Sequence, residues 1–320
     1  MIPTVLGQMV CWFGGALICY CSLPPKSRGR TALAVGMGWP ISQAFVIIFI
    51  LALPLSLSVI SVIAIAFFTM VSLFMSPYYL NSSFTMVQFR EPHPFIGFSK
   101  HWLGLMTIGS LIILHLSING TSDLAARIFP WDAFTTWIYR AKAWVLADQI
   151  LAIGSPADWL NGDLSKELAI YANEYPRGVS GLSAFSSSLT GAWDSEAATL
   201  PWLLALMTSG TIIFGLGRAI GLGALTSLFG TYLTISCPIV ATHTALAGYA
   251  DLWMLLFSGC GLACLLASRI ADRKDLIFLA FILLLVATQL KWEAWIWLIL
   301  SIGFCLLELF FNRFGYLRFF

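Results

Sequence analysis

Charge is scarce in this chain. Asp, Glu, Lys and Arg make up 10% of its 320 residues, against roughly 25% in soluble globular proteins. Seventeen basic and fifteen acidic residues leave a net charge of only +2, and no basic tract occurs. That excludes an electrostatic nucleic-acid surface. The sequence holds no glycine-rich phosphate loop, no nucleophile elbow and no His/Cys pattern of metal-ligand spacing. No internal repeat is visible, which argues against an inverted-repeat transporter. The N-terminus has neither a basic n-region nor a small-residue cleavage site, so its first apolar run reads as a retained helix.

What fills the chain is apolar. Hydrophobic residues account for 59% and the mean hydropathy is +0.87. Apolar runs of about 15 to 25 residues recur, the length a helix needs to cross a hydrocarbon core of about 30 Å. The expected fold class is an all-α polytopic membrane protein with about nine transmembrane helices. The runs lie at 3–23, 39–56, 57–76, 102–118, 198–217, 219–237, 245–267, 275–290 and 294–312. Residues 39–76 read as one kinked span or two, and Pro54 favours a hairpin or a sharp kink there. The expected organisation is a set of N-terminal transmembrane helices over 1–101 and a core over 102–320. The seven cysteines (Cys11, Cys19, Cys21, Cys237, Cys260, Cys264 and Cys305) fall in or at the ends of apolar runs. They read as small packing residues.

Basic residues set the expected orientation. Lys26, Arg28 and Arg30 follow the first run; Arg90 and Lys100 precede the fourth; Arg218 lies between the fifth and sixth. Arg269, Arg273 and Lys274 follow the seventh, and Arg313 and Arg318 the ninth. Alternating nine spans puts all five groups on one side, the cytoplasm. The loop 119–197 then lies outside, and the same alternation carries His243, Gly248-Tyr249-Ala250-Asp251 and Lys291-Trp292-Glu293 to that outer face. Asn119-Gly120-Thr121 matches a glycosylation sequon on this outer side.

The loop contains FPWDAFTTWIYRAKAW, residues 129–144. Asp132, Thr136 and Arg140 stand at i, i+4 and i+8, so a helix aligns them on one face, with Phe134, Trp137, Ile138, Ala141 and Val145 on another. The pattern predicts an amphipathic helix lying in the interface. After Pro130, Asp132 reads first as a helix cap and next as a catalytic carboxylate, and the two roles are compatible. Asp251 sits in the apolar run ALAGYADLWMLLF, where a carboxylate either faces a protein interior or cavity or marks a span end. Lys291 and Glu293, two apart, predict a tight turn, and an outer-face ammonium suits an anionic headgroup or phosphate. Tyr175-Pro176-Arg177 offers a further anion ligand, or simply a solvated arginine. His115, inside the fourth run, reads as a satisfied buried histidine.

Taken in order, Trp131-Asp132-Ala133, Arg140-Ala141-Lys142, Tyr175-Pro176, Gly248-Tyr249-Ala250-Asp251, Lys291 and Glu293 resemble the motifs of the GT-C glycosyltransferases. The nearest branch is that of the RgtA/B/C/D-like and dolichyl-phosphate-mannose mannosyltransferase-like proteins. The resemblance covers about residues 100 to 300 and implies a multi-span bacterial inner-membrane enzyme. Such an enzyme moves a sugar from a polyprenyl-phosphate donor to a glycan, lipid or protein acceptor at the extracytoplasmic face. It implies that Asp132, matching the family's loop acid, and Asp251 are catalytic. Lys291, Glu293, Arg177, Arg140, Tyr175, Trp131 and Tyr249 are the expected substrate-binding residues. A divalent metal is an open cofactor, with Asp132 and Asp251 its candidate ligands. Two features depart from the family: the chain stops soon after Glu293, and three spans precede the Asp132 unit where one is typical. The rival readings are a transporter or flippase of a lipid-linked or anionic substrate, and a non-catalytic subunit of a membrane complex.

Overall fold

A computed structural model describes residues 1–25, 27–87, 100–125, 133–163, 165–167 and 175–313. The described elements are helical apart from a two-residue parallel pair, β1 (Ala152–Ile153) with β2 (Lys166–Glu167). Among the described residues six helices, against the nine spans expected, are long and apolar enough to cross a membrane. They are α1 (Ile2–Ser22), α2 (Arg30–Ala52), Leu57–Pro77 of α3 (Leu57–Val87), Trp102–Leu124 of α4 (Lys100–Ala125), α8 (Ser195–Ala219) and the segment Asp251–Ile270. A seventh span results if α9 (Ala224–Ile235) and α10 (Pro238–Ala245), bent by 59° at their junction, count as one. The multi-pass, all-α class therefore stands. The remaining apolar helices, α13 (Lys274–Ala287) and α14 (Ala294–Arg313), fall short of that length test over their described apolar stretches.

The run expected at 39–56 begins earlier, at Arg30. Arg30 is no loop charge. It is 5% exposed, donates from Nε and Nη2 to the Tyr20 carbonyl at 3.0 and 2.6 Å, and lies 3.7 Å over the Tyr20 ring. Its charge is thus satisfied inside the protein, which lets the helix start nine residues before Trp39. Pro40 sits within α2, while the chain breaks at 53–56 around Pro54, so 39–76 holds parts of two helices. The sixth run bends where Pro238, which has no N–H, follows Cys237. Asn119 is 5% exposed within α4, so the Asn-Gly-Thr pattern is folded into a helix interface instead of presented on a loop.

Small residues bring the long helices together. In the absence of a hydrophobic force between spans, close backbone approach supplies the packing energy. α1 and α2 cross where a Cβ on Gly15 would strike the Gly38 carbonyl, and one on Gly38 would fall 2.6–2.7 Å from backbone and Cβ atoms of Ala16. α2 then packs along α8, so the N-terminal helices share one bundle with the rest. Trp39 of α2 stacks on Trp253 at 5.7 Å, and Trp202 of α8 meets Trp253 edge-on at 5.3 Å.

The segment expected as an outer loop does not stay outside the bundle. Its helix α7 (Gly178–Ser188) is buried from Gly178 through Ser187, against α1, α2, α3, α5 (Ile138–Ala147) and α8. Its serines explain how: Ser186 accepts from Gln8 Nε2 at 2.8 Å and from Thr4 Oγ1 through its carbonyl, and Gln8 in turn accepts from Trp39 Nε1 at 2.9 Å. A serine-rich helix is costly in lipid; here Ser186 and Ser188, whose hydroxyl meets that of Ser61 on α3 at 2.7 Å, find partners on neighbouring spans, while the buried Ser180 and Ser183 hydroxyls have none among the described residues.

The two ends of the bundle differ in charge. Asp194 caps α8, accepting from the Glu196 and Ala197 amides, and Arg218 lies in the last turn of the same helix. Arg28 and Arg273 join Arg218 at that far end, where Arg273 Nη1 donates to the Arg28 carbonyl and a Cβ on Gly29 would lie 3.1 Å from Arg218 Cβ. Arg269 pairs with Glu308. Lys26, Arg90 and Arg318 lie outside the described residues. Cysteine labelling tests the sidedness that this arrangement suggests. In a background stripped of native cysteines, a probe at exposed Ser165 should react from outside intact cells and one at Ser27 only after permeabilisation. The reverse pattern would overturn the orientation.

A small electrostatic clasp holds the segment between α5 and α7. Asp158 accepts from the Ser155 amide and hydroxyl at 2.7 Å and from Lys166 Nζ at 2.9 Å. The Ser155 hydrogen bonds first, and Lys166 second, pull its pKa down from 3.8 to about 2. With the folded value depressed, the stabilisation is present above the unfolded pKa and lost as pH falls through about 2. Amide protection at 155–163, measured against the intrinsic exchange rate at each pH, should fall below pH about 4 while the spans stay protected. Protection there that does not change with pH would show the clasp to be inert.

Candidate functional site

The site is built where four chain segments meet near the N-terminal end of α8. The first runs from a π-helical turn, Ala133–Trp137, into α5. The others are the entry to α7, the stretch between α10 and α11 (Asp251–Trp253), and the turn between α13 and α14. Printed contacts lock them together. The Gly178 amide donates to the Gln289 carbonyl at 2.9 Å, tying the start of α7 to the α13–α14 turn. Trp202 Nε1 of α8 donates to the Tyr249 carbonyl at 2.8 Å. Gly248, at φ +126°, is so close to Ala133 that a Cβ on it would overlap the Ala133 Cβ. Only glycine supplies both that backbone and that approach.

Asp251 follows three residues later as the first residue of its helix. Of the two readings open for it, the span end is the one found: its side chain is 43% exposed. The Gly248 turn ends the preceding segment, and an acid at a helix N-terminus is favoured by the peptide dipoles. Lys291 Nζ donates to Asp251 Oδ1 at 2.8 Å and lies 3.6 Å from Glu293 Oε1. His243 Nδ1 stands 3.5 Å from Asp251 Oδ2, and its ring stacks on Tyr249 at 5.1 Å. Lys291 sits in the expected tight turn, its amide bonded to the Ala287 carbonyl at 3.1 Å.

The electrostatics of Lys291 follow from this cage. Partial burial alone disfavours the ammonium, but the hydrogen bond to Asp251 and the charges of Asp251 and Glu293 outweigh it and hold the pKa above 10.5. A raised lysine pKa stabilises the fold below the unfolded value and is lost only as pH rises through the folded one. Lys291 is therefore charged across the neutral range. An ammonium shared by two carboxylates gives the site a cation that an incoming anion can take over, and carboxylates able to accept a proton when it does.

Beside it lies a second group. The interfacial-helix pattern predicted Thr136 and Arg140 on a solvated face, whereas both are buried, at 5% and 0% exposure, and Tyr139, Lys142 and Leu146 face outward. The polar stripe turns inward because polar partners await it there. Arg140 Nη1 donates to the Tyr175 carbonyl at 3.2 Å, and Trp137 meets the Tyr175 ring edge-on at 5.2 Å. Arg177 is half-buried just before α7. The structure thus brings Asp251, Lys291, Glu293 and Tyr249 into one network and Arg140 and Tyr175 into a neighbouring one, joined through Gly178–Gln289 and Ala133–Gly248. Asp132 and Trp131 lie outside the described residues; Asp132 immediately precedes Ala133 in the chain.

The sequence carries His243 to the outer face and gives it no role, yet it is a member of the network. The Gly248 turn breaks the helix between His243 and Asp251, so helical spacing does not pair them and only folding reveals the pair. Among the described residues no group of three or more His, Cys, Asp or Glu side chains has metal-site geometry. Asp251 is engaged by an ammonium and an imidazole. The cysteines are all free, with Cys11, Cys19, Cys260 and Cys264 buried among helices as packing residues. Comparison with protein-family models, curated proteins and solved structures finds no match, so the chemistry of these two groups is what speaks to function.

Proposed function

We propose that this protein is a membrane glycosyltransferase that moves a sugar from a polyprenyl-phosphate carrier to a hydroxyl of a glycan, lipid or protein at the extracytoplasmic face. The observation that carries this reading is the Asp251–Lys291–Glu293–His243 cluster beside the Arg140–Tyr175 group, both at the end of the bundle opposite Arg28, Arg218 and Arg273. With those arginines cytoplasmic by the positive-inside rule, the cluster lies outside. The prenyl chain then stays in lipid while the phosphate reaches headgroup depth.

The reaction assigns roles. The acceptor oxygen attacks the anomeric carbon, the bond from that carbon to the phosphate oxygen breaks, and the acceptor proton passes to a carboxylate. Asp132 is the proposed base. Lys291 takes the phosphate, exchanging one anion for another so that no new charge is desolvated, and stabilises the charge that grows as the phosphate leaves. Glu293 keeps Lys291 oriented, and Asp251, released from the ammonium, holds the acceptor. Trp131 and Tyr249 offer aromatic faces for a sugar ring, and Arg177 is a further phosphate ligand. Purified protein in nanodiscs, given polyprenyl-phosphate sugars and a panel of hydroxyl acceptors, should transfer or slowly hydrolyse the sugar. The absence of both turnover and saturable donor binding across that panel would sink the proposal.

A transport reading has one observation of its own, the 59° break between α9 and α10, since broken helices often line transported-substrate sites. Movement of a fluorescent lipid-linked sugar across reconstituted vesicles, without sugar transfer, would favour it.

A further inference from the structure

α4 is the most lipid-exposed of the long helices. From Trp102 to Leu124 its only buried residues are Asn119, Gly120 and Asp123. The greasy positions face out, as they do where a helix borders lipid, and an amide and an acid face in toward the protein. His115 continues the same stripe, at i, i+4 and i+8 with Asn119 and Asp123.

Each member has a definite setting. His115 Nε2 lies 2.9 Å from the Ile235 carbonyl, which ends α9 at the 59° break, and 3.1 Å from Asn119 Nδ2. Asn119 Nδ2 donates to the His115 carbonyl at 2.9 Å. Asp123 is 2% exposed and lies against Thr199 and the Leu203 backbone of α8, yet neither carboxylate oxygen makes a hydrogen bond of good geometry among the described residues. An ionised carboxylate without a counter-charge in such a place is unfavourable, whereas a neutral acid is not. Other titratable groups on the packed elements are Glu196 and Arg218 of α8, Tyr232 of α9 and His243 of α10. Glu196 is exposed and lines the adjoining α4–α8 groove, Arg218 lies at the far end of α8, and His243 is engaged with Asp251. The groove, of about 670 Å³, is lined by Ile113, Leu116, Leu124, Leu203 and Met207 as well as Glu196, and opens to lipid.

We propose that this stripe is an intramembrane proton-binding site, with Asp123 the carboxyl that takes the proton and Thr199, one helical turn from exposed Glu196, on its route in. His115 is a positioning residue that holds the α9–α10 break against α4. The step is a simple association of a proton with a carboxylate and needs no co-reactant. The site is independent of the glycosyl-transfer reading, and its test does not read sugar transfer.

Dicyclohexylcarbodiimide, an apolar reagent that reaches carboxyls from the lipid and adds to them only when protonated, is the probe. The full chain in nanodiscs is treated at a series of pH values and the adduct located by mass spectrometry. Asp123 should be modified at pH about 6, with labelling falling at least about tenfold as pH rises to about 10, and with sodium or potassium at fixed pH without effect. Asp123→Asn should abolish that adduct, and Glu196→Gln should leave it in place. No adduct at Asp123 at any pH, or an adduct equally strong at every pH, would overturn the proposal. Suppression by sodium at constant pH would also overturn it, showing a metal-cation site instead.

Discussion

Lys291→Ala should lower kcat/KM for transfer from a polyprenyl-phosphate sugar by about 10²–10³-fold, the loss usual when a group aimed at developing charge is removed. The loss in turnover should exceed the loss in donor affinity, because the charge on the leaving phosphate peaks in the transition state. Lys291→Arg keeps the charge with a different shape and should recover part of both. The structure adds a complication that a single variant cannot resolve. Removing the ammonium takes from Asp251 and Glu293 the cation that they share, so some of the loss will be structural. The double variant Lys291→Ala with Asp251→Asn removes one of the two carboxylate charges left without it. It should regain the thermal stability lost in Lys291→Ala yet stay inactive, and the cycle isolates the functional share. Full activity in Lys291→Ala would reduce the cluster to a structural clasp, and Arg177 would become the next phosphate ligand to examine.

Gly248→Ala should be nearly as damaging for a different reason. Its φ of +126° lies in a region that side chains rarely adopt, and the new methyl would overlap the Ala133 Cβ. Backbone strain of this kind costs about 1–3 kcal/mol, and the overlap adds to it. The chain can relieve the clash only by moving 133–137 away from 248–251, which separates the stretch following Asp132 from Asp251. Thermal unfolding in detergent should shift down by several degrees, and transfer should fall more steeply than stability. Ala133→Gly in the Gly248→Ala background makes room for the methyl and should restore part of the activity. If Gly248→Ala behaves like the parent, the Ala133 contact does not set the geometry of the site.

The membrane class was legible in the sequence because it depends on composition and run length, which local reading captures. Helix starts near Leu57, Ser195 and Ala294 followed from the same signal, as did the Lys291–Glu293 turn, since apolar runs stop where polar residues begin. The sequence by itself also separated Arg28, Arg218 and Arg273 from Asp251 and Lys291, because charge placement along alternating runs is a one-dimensional property. What only the tertiary structure decided is where a polar residue finds its partner. Arg30 reads as a loop charge until the Tyr20 carbonyl and ring are seen to hold it. Thr136 and Arg140 read as a wet face until the Tyr175 carbonyl draws Arg140 inward, and the serines of α7 read as a loop until Thr4 and Gln8 answer Ser186. His243, Asp251 and Lys291 meet across as many as 48 positions of sequence, and no periodicity encodes such a meeting. The physical reason is common to all of these. Apolar burial depends on a residue and its neighbours in sequence, whereas a buried or paired charge is stable only beside a specific partner that the fold must deliver.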